Sequence, residues 1–222
     1  MSVSDNIQQI QKGLPPTTRL VAVSKFHPAE AVLEAYSAGQ RIFGENRVQE
    51  LCDKFPVCPK DIKWYFIGHL QTNKIKQIVP FVALIQSVDS LKLLKEINKE
   101  SQKIGRIVPC LLQIHIAQEE TKFGFSFDEC REMLASGVYK ELKNVQIYGL
   151  MGMASLTDNK AQIHAEFKSL KQFFEEIREQ YFKDNTSFCE LSMGMSDDHQ
   201  IAIQEGSTMV RIGSAIFGPR VY

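Results

Sequence analysis

The chain has 222 residues, enough for one large domain or two small ones with a substantial core. Its 26 basic and 26 acidic side chains cancel, which excludes a long-range field gathering nucleic acid or anionic membrane, so any anion has to be held by local groups. No apolar run approaches the ~20 residues that cross a bilayer, and the start MSVSDNIQQIQKGLPP lacks the apolar core of a signal peptide, so a cytoplasmic protein is expected, with neither nucleic acid nor membrane as partner.

From the amino terminus, an amphipathic segment around Ile7 to Gly13 precedes the first apolar run, RLVAVSK, which spans Arg19 to Lys25 and passes into helix-forming residues. That helix ends at Gly39, and RIFGENR begins a second strand followed by the helical RVQELCDKF. KWYFIGH and FVALIQSVD read as strands three and four. The helix LKLLKEINKESQ comes next, with Ser90 or Asp89 placed to cap it and Gly105 to end it. VPCLLQIHIA is a fifth strand, in which Gln113 and His115 alternate with Leu112, Ile114 and Ile116 and are expected on an interior face; the loop QEETKFGF follows. After the sixth strand, VQIYGLMGMA, the segment NKAQIHAEFKSLKQFFEEIREQY carries Ile163, Phe167, Leu170, Phe174 and Ile177 on one helical stripe. SFCELSMGM, the helix HQIAIQEG with Asp197 or Asp198 as cap and Gly206 at its end, and TMVRIGSAIFG complete the series.

Strand-like runs thus alternate with helices, and most are apolar on both faces, as parallel strands are when helices cover one side and a barrel interior the other. The expected fold is a single α/β domain over residues 1–222, a (β/α)8 TIM barrel near the lower size limit of that architecture, with a short N-terminal helix. A doubly wound open sheet competes, but the GxGxxG fingerprint of its first turn is absent. No linker, low-complexity tract or repeat divides the chain. The cysteines Cys52, Cys58, Cys110, Cys130 and Cys189 are scattered without a CxxC pair, which indicates neither a disulfide framework nor a zinc site.

In such a barrel, functional groups gather at the C-terminal ends of the strands, where the βα loops converge. Those ends hold Lys25, Glu45 and Asn46, His69, the loop after strand five, Met151 to Ala154, Ser192-Met193-Gly194-Met195-Ser196, and Arg211-Ile212-Gly213-Ser214. Alone, SMGMS reads more readily as a tight turn with a helix cap. Its coincidence with strands seven and eight, where barrels often bind phosphate, favours an anion cup, because backbone N–H groups approach an anion closely where no side chain intervenes.

A lysine at a strand end is ordinarily a solvated charge. Lys25, however, follows Val21, Ala22 and Val23 on strand one, which a closed barrel sets beside strand eight and its cup. A partly desolvated amine has a lowered pKa and more of the neutral nucleophile, which suits imine formation with an aldehyde. Phosphate plus an amine-reactive aldehyde describes pyridoxal 5′-phosphate (PLP). Asn46 either bonds the ring or phenolic oxygen of that cofactor or caps RVQELCDKF. His69 is either an acid/base or a histidine satisfied at a loop entrance, and His27, His164 and His199 read as loop or helix-surface residues.

The motifs VAVSK, FGENRVQE, FIGHLQTNK, GLMGMA, LSMGMSDD and VRIGSAIFG, in this order from about Leu20 to Gly218, resemble the pyridoxal phosphate homeostasis protein family of alanine-racemase-like barrels. The resemblance implies a fold-type III barrel that binds PLP as an internal aldimine on the lysine of VSK, here Lys25. It further implies phosphate contacts from Ser192, Met193, Gly194, Gly213 and Ser214, and an arginine, Arg211, near the pyridine nitrogen. Serine stands at Ser214 where the family commonly has threonine, so the hydroxyl survives.

Arg211 bears on turnover. A guanidinium only donates, so it favours an unprotonated pyridine nitrogen and makes the cofactor a weaker electron sink than a carboxylate would. The implied role is holding PLP for vitamin B6 homeostasis, with little or no turnover and with PLP-dependent apoenzymes as recipients. The alternative is a PLP-dependent amino-acid racemase using Lys25 and His69. In alanine racemase the second base is a tyrosine from a partner subunit's extra β domain; here Tyr222 follows strand eight directly, so neither that domain nor its dimer is expected, and a monomer is. A barrel enzyme for another phosphorylated substrate is the third possibility.

Overall fold

Successive residues of a strand point to opposite sides, and that alternation decides what becomes interior. In the computed structural model, which describes residues 2–119 and 123–219, β1 (Arg19–Val23) sends Val21 into a cluster with Tyr65, Leu84, Leu111, Met151 and Met209. Each of these comes from a different strand, so the cluster fills the inside of a barrel. Leu20 and Ala22 face the other way, into a larger apolar layer shared with the helices. The expected loop QEETKFGF falls partly, and Tyr222 wholly, outside the described residues.

The strands that follow are β2 (Ile42–Glu45), β3 (Lys63–Phe66), β4 (Leu84–Val88), β5 (Val108–Ile114), β6 (Val145–Gly152), β7 (Glu190–Ser192) and β8 (Met209–Ile212). All pair in parallel in sequence order, and β1 also pairs with β8, which closes the barrel. The helices are α1 (Val3–Gly13), α2 (Ala29–Ser37), α3 (Val48–Lys54), α4 (Ile75–Ile78), α5 (Leu91–Gln102), α6 (Phe127–Ala135), α7 (Lys160–Tyr181), α8 (His199–Gln204) and α9 (Ser214–Phe217). The (β/α)8 architecture expected from the alternating pattern is therefore the one observed, with α1 preceding it.

Local chemistry fixes the element ends. Ser90 caps α5 by accepting from Leu93 N–H at 3.2 Å, and Gly39, Gly105 and Gly206 all have positive φ where helical turns end. On α7 the expected stripe is buried, joined by Phe173 and Glu166. Three expectations change. TMVRIGSAIFG is not one strand: β8 ends at Ile212 and Ser214–Phe217 is helical. SFCELSMGM shortens to Glu190–Ser192, because Phe188 stacks on Phe182 and Phe174 in the helix layer and Gly194 turns the chain at φ +97. Asp198, at the start of α8, makes no cap bond; its carboxylate accepts from Met195 N–H at 2.5 Å instead.

The five cysteines are free, and no His/Cys/Asp/Glu group able to hold a metal occurs among the described residues. No described helix is long and apolar enough to cross a membrane.

Candidate functional site

β1 ends at Val23, and Lys25 follows two residues on at the C-terminal mouth of the barrel, in a turn closed by His27 N–H donating to the Ser24 carbonyl at 3.1 Å. Lys25 is half-buried, with its amine 6.0 Å from the centre of the Phe26 ring. The neighbour across the barrel seam is the turn after β8. A Cβ on Gly213 would stand 3.1 Å from the Val23 carbonyl oxygen, so the glycine allows a close approach of β1 to that turn.

The turn after β7 is joined to the turn after β8 by hydrogen bonds. Arg211 N–H donates to the Gly194 carbonyl at 2.9 Å, and Gly213 N–H donates to Ser196 Oγ at 3.4 Å. Gly194 is both left-handed and crowded, since a Cβ there would lie 2.6 Å from the Ala202 Cβ. Ser214 begins α9 and is exposed. Gly194, Gly213 and Ser214 thus come together at the turns after β7 and β8, beside the end of β1, the strand that leads into Lys25.

Ser192 and Met193 lie deeper than the expected cup. The Ser192 hydroxyl is inside the barrel, accepting from Arg211 Nη1 at 2.7 Å and donating to Gln86 Oε1 at 2.7 Å. This direction is forced, because a guanidinium can only donate. Met193 turns outward into the helix layer, and its N–H is committed to the Met209 carbonyl. Of the SMG triplet, then, only Gly194 presents itself at the mouth.

Arg211 is buried, inside the barrel below the mouth. Its Nη2 donates to the Gly152 carbonyl at 3.0 Å, so both of these partners are neutral oxygens. Burial pulls its pKa down to about 10, with Asp198 acting in the opposite sense, and the group stays cationic at neutral pH. Gln86 completes the chain by donating to Met209 Sδ at 3.0 Å. The polar Gln86 in the apolar run FVALIQSVD was the one sequence signal for it.

Asn46 does not cap α3, whose first flanking residue is Arg47 without a side-chain bond. Instead the Asn46 Oδ1 is buried without a hydrogen-bond partner among the described residues, and Gly68 gives the side chain room: a Cβ there would stand 2.7 Å from the Asn46 Cβ. His69 pairs through Nδ1 with Asp89 Oδ2 at 3.0 Å and stacks on Phe123 with ring centres 4.1 Å apart. Gln113, on the barrel interior as expected, donates to the Phe123 carbonyl and holds that loop. His27 stacks on Phe217 of α9, 5.2 Å between centres.

These groups suit a phosphorylated aromatic aldehyde. The glycine turns admit an anion to the backbone, Lys25 supplies a primary amine, Asn46 has an acceptor to satisfy, and Arg211 places a donor-only cation behind them.

The family model described as "Alanine racemase, N-terminal domain" matches residues 2–221. A pyridoxal phosphate homeostasis protein of Aquifex aeolicus (strain VF5) is 38% identical, covering 92% of this chain and 88% of its own. One from Homo sapiens is also 38% identical, covering 100% and 85%. The structure of PipY of Synechococcus elongatus PCC7942 with PLP bound superimposes with a TM-score of 0.88 at 37% identity, over 98% of this chain and 100% of that one. An alanine racemase of Clostridium difficile 630 matches with a TM-score of 0.77 at 13% identity, over 97% of this chain and 55% of that one, which is a likeness of fold.

Proposed function

The chain belongs to the alanine racemase N-terminal domain family, and from that premise we propose that it binds pyridoxal 5′-phosphate covalently through Lys25 and holds it for intracellular vitamin B6 homeostasis, with little or no turnover of a substrate. When bound, PLP supplies an aldehyde that condenses with a primary amine, a C=N bond forming to nitrogen while the carbonyl oxygen leaves as water. The observation that supports the proposal is the junction of β1 and β8, where Gly213 lets the end of the strand that leads to Lys25 approach the turn after β8, itself tied to the turn after β7 by hydrogen bonds.

In this reading Gly194 and Ser214 hold the phosphate through main-chain N–H groups and the Ser214 hydroxyl, and Gly213, whose N–H bonds Ser196 Oγ, keeps the space beside them free of a side chain. Met193 anchors the turn in the core, and Ser192 acts at one remove by holding Arg211. The unpartnered Asn46 amide oxygen accepts from the phenolic hydroxyl. Arg211 only donates, so it favours an unprotonated ring nitrogen and limits carbanion chemistry. The names of the relatives, homeostasis proteins rather than racemases, support a holding role.

Borohydride reduction of the PLP-loaded chain followed by peptide mass spectrometry tests the assignment. The adduct is expected on the peptide containing Lys25, and an adduct elsewhere, or none, sinks it. Incubation with L-amino acids in deuterium oxide tests the holding role. Sustained exchange of the α-proton would return the racemase reading, with His69 and Asp89 at the mouth as its candidate acid/base pair.

A further inference from the structure

The two peptide groups that flank Lys25 are held by a buried charged cluster outside the proposed contact set. In the peptide before it, the Ser24 carbonyl accepts from Lys54 Nζ at 2.8 Å. In the peptide after it, Phe26 N–H donates to Glu50 Oε2 at 2.8 Å. Lys54, at the end of α3, is only 6% exposed, and its ammonium lies 2.6 Å from Glu45 Oε1 and 3.8 Å from Glu50 Oε2. Glu45 has no exposed surface and also accepts from Ser24 Oγ at 2.6 Å, while its second oxygen has no hydrogen-bond partner among the described residues.

Phe26 adopts φ +65, a left-handed conformation that a bulky residue holds only when its surroundings impose it. The surroundings here are the turn's own bond, His27 N–H to the Ser24 carbonyl at 3.1 Å, together with the Glu50 carboxylate on the Phe26 N–H and the Arg47 guanidinium, 4.7 Å from its ring centre. Two buried charges with a third, partly exposed one beside them are a costly way to fill space, since apolar residues of similar volume pack as well or better. What they supply is direction: each charge is aimed at a backbone group on one side or the other of Lys25, or at the charge that is. The same turn is tied to α9 by the His27–Phe217 stack, so fixing it also fixes its position relative to the turn after β8.

We propose that Glu45, Lys54 and Glu50 form a positioning clamp that aims the Lys25 side chain at the anion cup and thereby sets how completely its amine condenses with PLP. The proposal rests on the role assigned to Lys25 above. The three residues act through the Ser24 and Phe26 peptide groups and do not touch the cofactor. Glu50 holds Phe26 in its left-handed state, and Lys54, itself fixed by Glu45, holds the carbonyl of Ser24. With either anchor gone, the Lys25 Cα rotates within its turn and the amine leaves its attack geometry, although the phosphate turns remain intact.

The test uses the full chain and pyridoxal 5′-phosphate itself, with Glu50→Ala, Glu50→Gln and Lys54→Met compared against wild type. Total bound PLP is measured by equilibrium dialysis. The covalent share is read from the visible absorption band of the lysine-linked form and from borohydride-fixed adduct on the Lys25 peptide. Glu50→Ala is expected to lower the ratio of covalent to non-covalent PLP about tenfold at unchanged thermal stability. Glu50→Gln, which keeps an oxygen for Phe26 N–H, is expected to restore it, and Lys54→Met to fall at least as far as Glu50→Ala. Because Glu50 is partly exposed, its pair of variants decides the matter if Lys54→Met does not fold. Equal covalent shares in wild type and Glu50→Ala overturn the clamp and leave Lys25 its role. An absence of adduct on Lys25 in wild type overturns both.

Discussion

A carboxylate sealed from water keeps its proton more tightly unless a cation stands against it, and Glu45 is under both pressures. Burial pushes its pKa above the ordinary 4.5, while the Lys54 ammonium and the hydrogen bonds from Lys54 and Ser24 pull it back without cancelling the rise. The folded chain therefore binds this proton more tightly than the unfolded one. The resulting stability is present below the unfolded pKa and is lost as pH rises through the folded value. Lys54→Met removes the main counterweight and moves the folded pKa further up, so the window of loss extends toward neutral pH. We expect that variant to cost about 3–5 kcal/mol at neutral pH, where an unpaired buried charge remains, and much less near about pH 4, where Glu45 is neutral. Urea unfolding of both chains across that range checks the sign. A gap in stability that does not change with pH would falsify the assignment. Adding Glu45→Gln to Lys54→Met should recover most of the loss at neutral pH, because the stranded charge is then gone.

The turns after β7 and β8 both depend on glycine, for different physical reasons, and so respond differently to a methyl group. Gly194→Ala meets both a positive φ and an Ala202 Cβ at 2.6 Å, and we expect a loss of about 1–3 kcal/mol in urea unfolding. Gly213→Ala has ordinary φ and a tight 3.1 Å approach to the Val23 carbonyl, so it should fold with little loss yet bind PLP and inorganic phosphate more weakly. Equal destabilisation of the two would contradict this division. Such turns were legible in the sequence because Gly194 and Gly213 stand at the ends of the last two apolar runs. The helical turn of α9 was not legible, since SAIFG is too short and too apolar to carry a period distinguishing strand from helix. The Arg211–Ser192–Gln86 chain was hidden for another reason: Ser192 and Gln86 are 106 residues apart, and only the closed register of β4, β7 and β8 brings them together. Lys54 was not legible as a buried group, because nothing local in RVQELCDKF reveals that its amine reaches the Ser24 carbonyl in the turn after β1.

At the scale of the whole barrel, the proposed ligand site straddles the seam where the chain's first strand meets its last two. β7 and β8 are in register only at Ser192 and Met209, whereas β5 and β6 run in register, with one irregularity, from Val108 to Ile114. Three backbone hydrogen bonds, Thr208 N–H to Leu191, Met193 N–H to Met209 and Arg211 N–H to Gly194, join β7, β8 and their turns, and a ligand that joins Lys25 to the turns after β7 and β8 would act as a clasp across this junction. At free PLP about 100 times its dissociation constant, linkage adds about 2.7 kcal/mol, which for a chain of this length raises Tm by about 5–10 °C. Inorganic phosphate, which reaches the turns and cannot bond Lys25, should give a smaller shift, and the same small shift in wild type and Lys25→Ala. Hydrogen exchange locates the effect. If the seam opens separately from the rest, PLP slows exchange most at β7, β8 and the start of α9, with β4 to β6 little changed. Uniform slowing throughout the barrel would mean instead that these strands open only when the entire chain unfolds, and the seam would then have no independent motion for the ligand to suppress.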